Sequence, residues 1–205
     1  MTQLDDPFCL ALDPARALLA GAPWRRLVVL GDSIAAHPGD PVPGYSRLTW
    51  AEQLTAALRP TLYRNLGVVG ARAAEVRAAQ LPVALAFAPD LAVVAAGAND
   101  AFRRSFTPDP VTGDLEHLMG ALHRGGALVV TFGCFDVGHT DRLRALNDLT
   151  AAIAHRHGGL HLDFGDHPAQ ATGVFGDDGL HINARGHAVV AAALVRALAA
   201  RVSRS

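Results

Sequence analysis

Leu27-Val28-Val29-Leu30-Gly31-Asp32-Ser33 decides how the rest of the chain is read. Four apolar residues, two of them β-branched, run into Gly-Asp-Ser. A short run of this kind reads as a strand buried on both faces. Gly31 permits a sharp turn, and Ser33 follows where the turn opens. Open parallel α/β sheets place their chemistry at the carboxyl ends of central strands. Ser33 is therefore either a nucleophile or an ordinary N-cap of the next helix. Elsewhere the chain must supply a base, an orienting acid and an oxyanion site, or the hydroxyl is inert.

Further strands are predicted at 62–66, 91–96, 127–132 and 160–164. Helices are predicted at 14–20, 49–58, 71–80, 110–123, 141–157 and 183–202. Pro14 suits a first helical position and Asp13 the cap before it. Val190, Leu194 and Leu198 recur every four residues and give the last helix a core face. Alternation of strand and helix implies a parallel sheet with helices on both faces, an α/β fold. Residues 1–23 read as a leader packed on a domain spanning 24–205. The segments 35–47 and 101–113, rich in proline or glycine, read as loops beside the candidate nucleophile.

Composition bounds the function. The chain has 205 residues, half of them apolar, with a net charge of −1. No basic stripe or acidic tail is present, so nucleic acid and anionic membranes are not expected partners. The 18 basic residues are all arginine, which excludes Schiff-base lysine, phosphate-loop lysine and serine–lysine chemistry. This composition points to a GC-rich bacterial genome. Cys9 and Cys134 give neither a disulfide framework nor a metal spacing. With no signal-like segment and no long apolar run, a cytoplasmic protein without membrane insertion is expected.

Four glycine-punctuated strand ends carry residues fit for chemistry. Serine needs an imidazole to take its proton, and His181 is the candidate base. Its ring needs a carboxylate on the other nitrogen. Asp178, three residues earlier in a turn with Gly179, can fold back onto it. The tetrahedral intermediate needs fixed donors. The Ser33 and Gly70 N–H groups and the Asn99 side-chain amide are suitable. Asp32 and Asp100 read as loop-shaping hydrogen-bonders, and Asn65 as a supporting residue.

Gly31-Asp32-Ser33, the stretch Asn65 to Gly70, Gly97-Ala98-Asn99-Asp100 and Asp178 to His181 together resemble the SGNH hydrolases, the GDSL family of esterases and lipases. The four blocks stand in the family's order over about 150 residues. Ile34 replaces the leucine usual in the first block. The G-x-S-x-G elbow of ordinary α/β-hydrolases is absent. The resemblance implies a flavodoxin-like, three-layer α/β/α sandwich with five parallel strands. It implies Ser33, His181 and Asp178 as the triad, and Ser33, Gly70 and Asn99 as oxyanion donors. No cofactor is implied.

The expected activity is hydrolysis of a small-molecule carboxylic or thio ester through an acyl-enzyme. An acyltransferase of secondary metabolism would use the same intermediate. A non-catalytic binding domain would show a lost catalytic group, and every group is present. Phe102 and Arg103 are candidate substrate contacts: the ring for an acyl or aryl group, the guanidinium for an anionic one. Phe106 joins Phe102 as a pocket wall or loop anchor, and His37, in the loop after the serine, reads as a substrate contact or a solvated loop histidine. His155, His157 and His161 look like a metal cluster. On a helix, however, the first two diverge, and no carboxylate or cysteine is spaced to help, so no metal is expected.

Overall fold

Five parallel strands form one sheet in the order β2-β1-β3-β4-β5: β1 Arg26–Gly31, β2 Leu62–Asn65, β3 Leu91–Ala95, β4 Leu128–Phe132 and β5 Leu160–Leu162. The computed structural model describes residues 1–138 and 140–204. This strand order is that of flavodoxin-like sheets, whose ligand crevice opens where the order reverses, between β1 and β3. Leu27 pairs with Leu91 and Gly31 with Ala95 across that junction. Leu27 to Leu30 and Leu91 to Val93 are fully buried, as expected for central parallel strands. The edge strand β2 is largely exposed.

The helices in chain order are α1 Leu12–Leu18, α2 Ser33–Ala36, α3 Trp50–Leu58, α4 Ala73–Glu75, α5 Leu81–Phe87, α6 Ala98–Ala101, α7 Pro108–Arg124, α8 Thr140–Arg156 and α9 Ala184–Val202. A π-helical turn, Val76–Gln80, joins α4 to α5, and a 3-10 turn covers Pro168–Thr172.

The chain divides into two units. One comprises residues 25–36 and 62–167, with the whole sheet. Its core sets Val28, Leu30, Val94 and Val129 against Leu81 of α5, Leu118 of α7 and Ile153 of α8. Burying each such side chain stabilises by about 1.5–3 kcal/mol. The other unit comprises residues 1–24, 37–61 and 168–205. In it α1, α3 and α9 pack together. Asp6 ties the N-terminal segment to α9: its carboxylate accepts from Arg185 Nε at 2.7 Å and from the Tyr45 hydroxyl at 2.9 Å. Both charged groups are buried. Removing either partner would leave an uncompensated buried charge. Among the described residues, no helix is long and apolar enough to cross a membrane.

Several predicted boundaries shift. α1 begins at Leu12 with Ala11 as its N-cap, not at Pro14 behind Asp13. Pro14 is thus the third helical residue, where a missing N–H costs nothing because the first four lack helical acceptors. The helix predicted to stop at 80 runs on through Phe87. The widened turn precedes Pro82, whose ring would crowd the Ala78 carbonyl in a regular helix. Helix α7 begins at Pro108, inside the predicted 101–113 loop, with prolines in its first turn. Ser33–Ala36 form one helical turn at the start of the other predicted loop. β5 ends at Leu162, short of the predicted 164.

Candidate active site

In the sheet-bearing unit, three strand ends carry predicted residues. At the end of β1, Gly31 lies against β3 so closely that a Cβ would sit 2.1 Å from the Ala95 carbonyl oxygen. Only glycine fits there. Asp32 shapes the turn: its N–H donates to Ala95 O at 3.1 Å, and its carboxylate accepts from Ile34 N–H at 2.9 Å. Its carbonyl accepts from the Ala35 and Ala36 N–H groups. Asp32 therefore caps α2, and Ser33, 8 % exposed, is the first residue inside it. The cap reading of Ser33 is thereby displaced.

Sequence reasoning missed Gln80. Its amide grips the peptide groups of Gly31, accepting from Gly31 N–H and donating to Gly31 O, both at 2.9 Å. The side chain is buried at the end of the π-helical turn. Gln80→Leu strands the Gly31 N–H in the core and is expected to cost about 1–3 kcal/mol. Urea unfolding measures this, and an unchanged midpoint would contradict the clamp.

The loop after β2 runs along β1, with Leu66 N–H on Val29 O at 2.8 Å and Val68 N–H on Gly31 O at 3.1 Å. Asn65 braces it, donating to Ala35 O and accepting from Gly67 N–H. Gly70 has φ +80°, a left-handed conformation suited to glycine. Its N–H has no hydrogen-bond acceptor among the described residues.

Two bonds tie this loop to the end of β3. Asn99 Nδ2 donates to Ala71 O at 3.1 Å, and Asp100 accepts from Ala73 N–H at 2.9 Å. Gly70 and Asn99 are thus brought together. A primary amide carries two N–H donors, so Asn99 keeps one beyond the Ala71 bond. Burial pushes the Asp100 carboxyl above its ordinary pKa. Phe102 and Phe106 are half-buried against the hydrophobic core. Arg103 is exposed, and its carbonyl accepts from Arg142 at 2.9 Å.

The other unit carries Asp178 and His181 on one tight turn. Gly179 takes φ +64° at its apex, and its N–H donates to Gly176 O. One Asp178 oxygen accepts from the Leu180 and His181 N–H groups, both at 2.9 Å. The other lies 2.6 Å from His181 Nδ1. The His181 side-chain bond, then the two N–H donors, hold the Asp178 carboxyl well below the usual carboxylate range. The turn is anchored by Gly176 N–H on His181 O at 2.8 Å and by Asn183. Asn183 also caps α9, accepting from Gly186 N–H. His37, read from sequence as a loop histidine, stacks on the His181 ring.

Two of the three histidines set aside as metal ligands have other partners. His157 Nε2 meets Glu116 at 2.7 Å. His161 bridges Thr131 Oγ1 at 2.7 Å and Asn147 Oδ1 at 2.8 Å, and burial pushes its pKa down to about 4. Among the described residues, no group of three or more His, Cys, Asp or Glu is placed to hold a metal ion. The Cys9 and Cys134 thiols are each pushed up to about 12 by burial, which removes them as nucleophiles at neutral pH.

A family model described as the GDSL-like lipase/acylhydrolase family matches residues 29–189. No curated protein sequence gives a significant match. Among solved structures, a lipase/acylhydrolase from Enterococcus faecalis is 21% identical, over 86% of this chain and 96% of its own, with a TM-score of 0.69. A catalytic mutant of an acetylxylan esterase from Geobacillus stearothermophilus, with a histidine changed to alanine, is 20% identical over 84% and 93%, TM-score 0.64. A psychrotrophic esterase from Pseudoalteromonas, inhibited by monoethylphosphonate, is 18% identical over 88% and 97%, TM-score 0.62. At these identities the likeness is one of fold.

Proposed function

Since the chain belongs to the GDSL-like lipase/acylhydrolase family, whose chemistry is ester-bond hydrolysis, we propose that it is a serine esterase acting on carboxylic or thio esters of small molecules through an acyl-enzyme. Ser33 is the nucleophile, His181 the base, and Asp178 the carboxylate that orients the imidazole. The observation that carries this reading is the 2.6 Å contact of Asp178 with His181 Nδ1. It leaves the proton on Nδ1 and the lone pair on Nε2, the form a general base requires.

The steps follow from that tautomer. Ser33 Oγ attacks the ester carbonyl as its proton passes to His181 Nε2. The carbonyl oxygen becomes an oxyanion, held by the Ser33 and Gly70 N–H groups and the uncommitted Asn99 amide hydrogen. Collapse breaks the bond to the leaving alcohol or thiol, which takes the proton from His181. Water then attacks the acyl-serine by the same route, releasing the acid and restoring Ser33. Two neighbouring structures support this assignment in kind: one loses a histidine in a catalytic mutant, and the other is inhibited by a phosphonate. Phe102 and Arg103, just beyond Asn99, are the proposed substrate contacts.

A nitrophenyl ester panel from acetate to decanoate tests the activity. Turnover above the Ser33→Ala blank is expected, and none on any member would overturn the reading. Asn99→Ala should lower kcat about 10²- to 10³-fold with KM little changed, because the donor acts on charge that exists only in the transition state. An unaltered kcat would remove Asn99 from the oxyanion site.

A further inference from the structure

The His37 ring lies nearly parallel to that of His181, with centroids 4.8 Å apart and planes inclined by 17°. His37 comes from a segment whose prolines and glycines give it no regular structure of its own, yet its placement is heavily pinned. Gly39 N–H donates to His37 Nδ1 at 3.0 Å. Asp40 docks the loop onto the segment bearing His181: its carboxylate accepts from Asp177 N–H at 2.9 Å and its carbonyl from Ala184 N–H at 2.8 Å. Between them, Gly39 approaches so closely that a Cβ would lie 2.3 Å from Ile182 O and 3.0 Å from the His187 ring. His187 is buried, accepts from Trp50 N–H at 3.1 Å, and faces the His37 main chain. A solvated loop histidine needs none of these ties.

The stacking supplies what the carboxylate cannot. The Asp178 bond fixes one edge of the His181 ring but leaves it able to tilt about that contact. A flat ring against its face removes the tilt.

Resting on the assignment of His181 as the base, we propose that His37 is a positioning residue for the reaction, whose stacked ring holds the His181 imidazole in its working plane. It acts through His181 and need not touch substrate. The His37 ring face acts on His181, and its Nδ1 serves only to hold the loop through Gly39. The partner at Gly39 separates the two, because an asparagine oxygen can replace Nδ1 as acceptor while presenting no ring.

The test compares wild type, His37→Asn, His37→Phe and His181→Ala in the full chain, by kcat and KM on nitrophenyl acetate, with thermal unfolding alongside. His37→Asn should keep its Tm and its KM while kcat falls about tenfold. His37→Phe should restore kcat to near the wild-type value. A His37→Asn kcat equal to wild type overturns the proposal. So does a rise in KM at constant kcat, which marks a substrate contact, or equal impairment of Asn and Phe, which marks a polar role. If His181→Ala keeps full activity, the base assignment itself falls, a result distinct from failure at His37 alone.

Discussion

Ser33→Ala is expected to lower kcat on a nitrophenyl ester by about 10⁴- to 10⁶-fold, with Tm changed by no more than a few degrees. The size follows from the chemistry. In the proposed mechanism the acyl bond forms at Oγ, an atom alanine lacks. The cysteines, the other candidate nucleophiles, are held protonated by burial. The proposed mechanism makes serine and base one unit, so the Ser33→Ala/His181→Ala double variant should be no slower than either single variant. Steady-state kinetics and thermal unfolding check both points. A residual rate within tenfold of wild type would mean that the nucleophile lies elsewhere.

Asp178→Asn is expected to cost about 10³- to 10⁴-fold in kcat while leaving the turn intact. The replacement oxygen can go on accepting from the Leu180 and His181 N–H groups, which now share one Asp178 oxygen. The other oxygen becomes an NH₂ facing His181 Nδ1. That donor pushes the ring's proton onto Nε2, the nitrogen that must accept from serine. Tautomer reversal, rather than unfolding, causes the loss, so KM and Tm should move little. The pH dependence follows from the sign of the shift. The Asp178 carboxyl is held below the usual carboxylate range, so it stays ionised through that range and takes up a proton only below it. Above the carboxylate range Asp178 therefore adds no proton to the acid limb of the pH–rate profile, and that limb should have a slope of one proton. A two-proton limb there would contradict a permanently ionised Asp178.

The sheet was legible because its signals are local. Leu27 to Leu30 and Leu91 to Val94 are short apolar runs bounded by turn residues, the pattern of a strand buried on both faces. The Asp178 turn was legible for the same reason: three residues and one glycine suffice to fold the carboxylate onto the ring. Helix limits were less legible, since they depend on how prolines are used. Pro14, Pro108 and Pro110 sit inside first turns, and Pro82 follows a widened turn that carries the helix onward. The Gln80 clamp could not be read, because it exists only if that π-helical turn aims the side chain at Gly31, 49 residues away. The stacking of His37 on His181 was hidden likewise. It depends on Asp40 meeting Asp177 and Ala184, pairings with no periodicity in the sequence. The histidines at 157 and 161 are near in sequence but have separate partners, Glu116 for one and Thr131 and Asn147 for the other.

The central claim is that Ser33 is an activated nucleophile, and covalent labelling tests it most directly. Incubating the protein with a fluorophosphonate and mapping the adduct by peptide mass spectrometry should place one phosphonyl group on Ser33. His181→Ala should slow that labelling severely. An unmodified Ser33 in a protein that hydrolyses esters, or an adduct on another residue, would contradict the account.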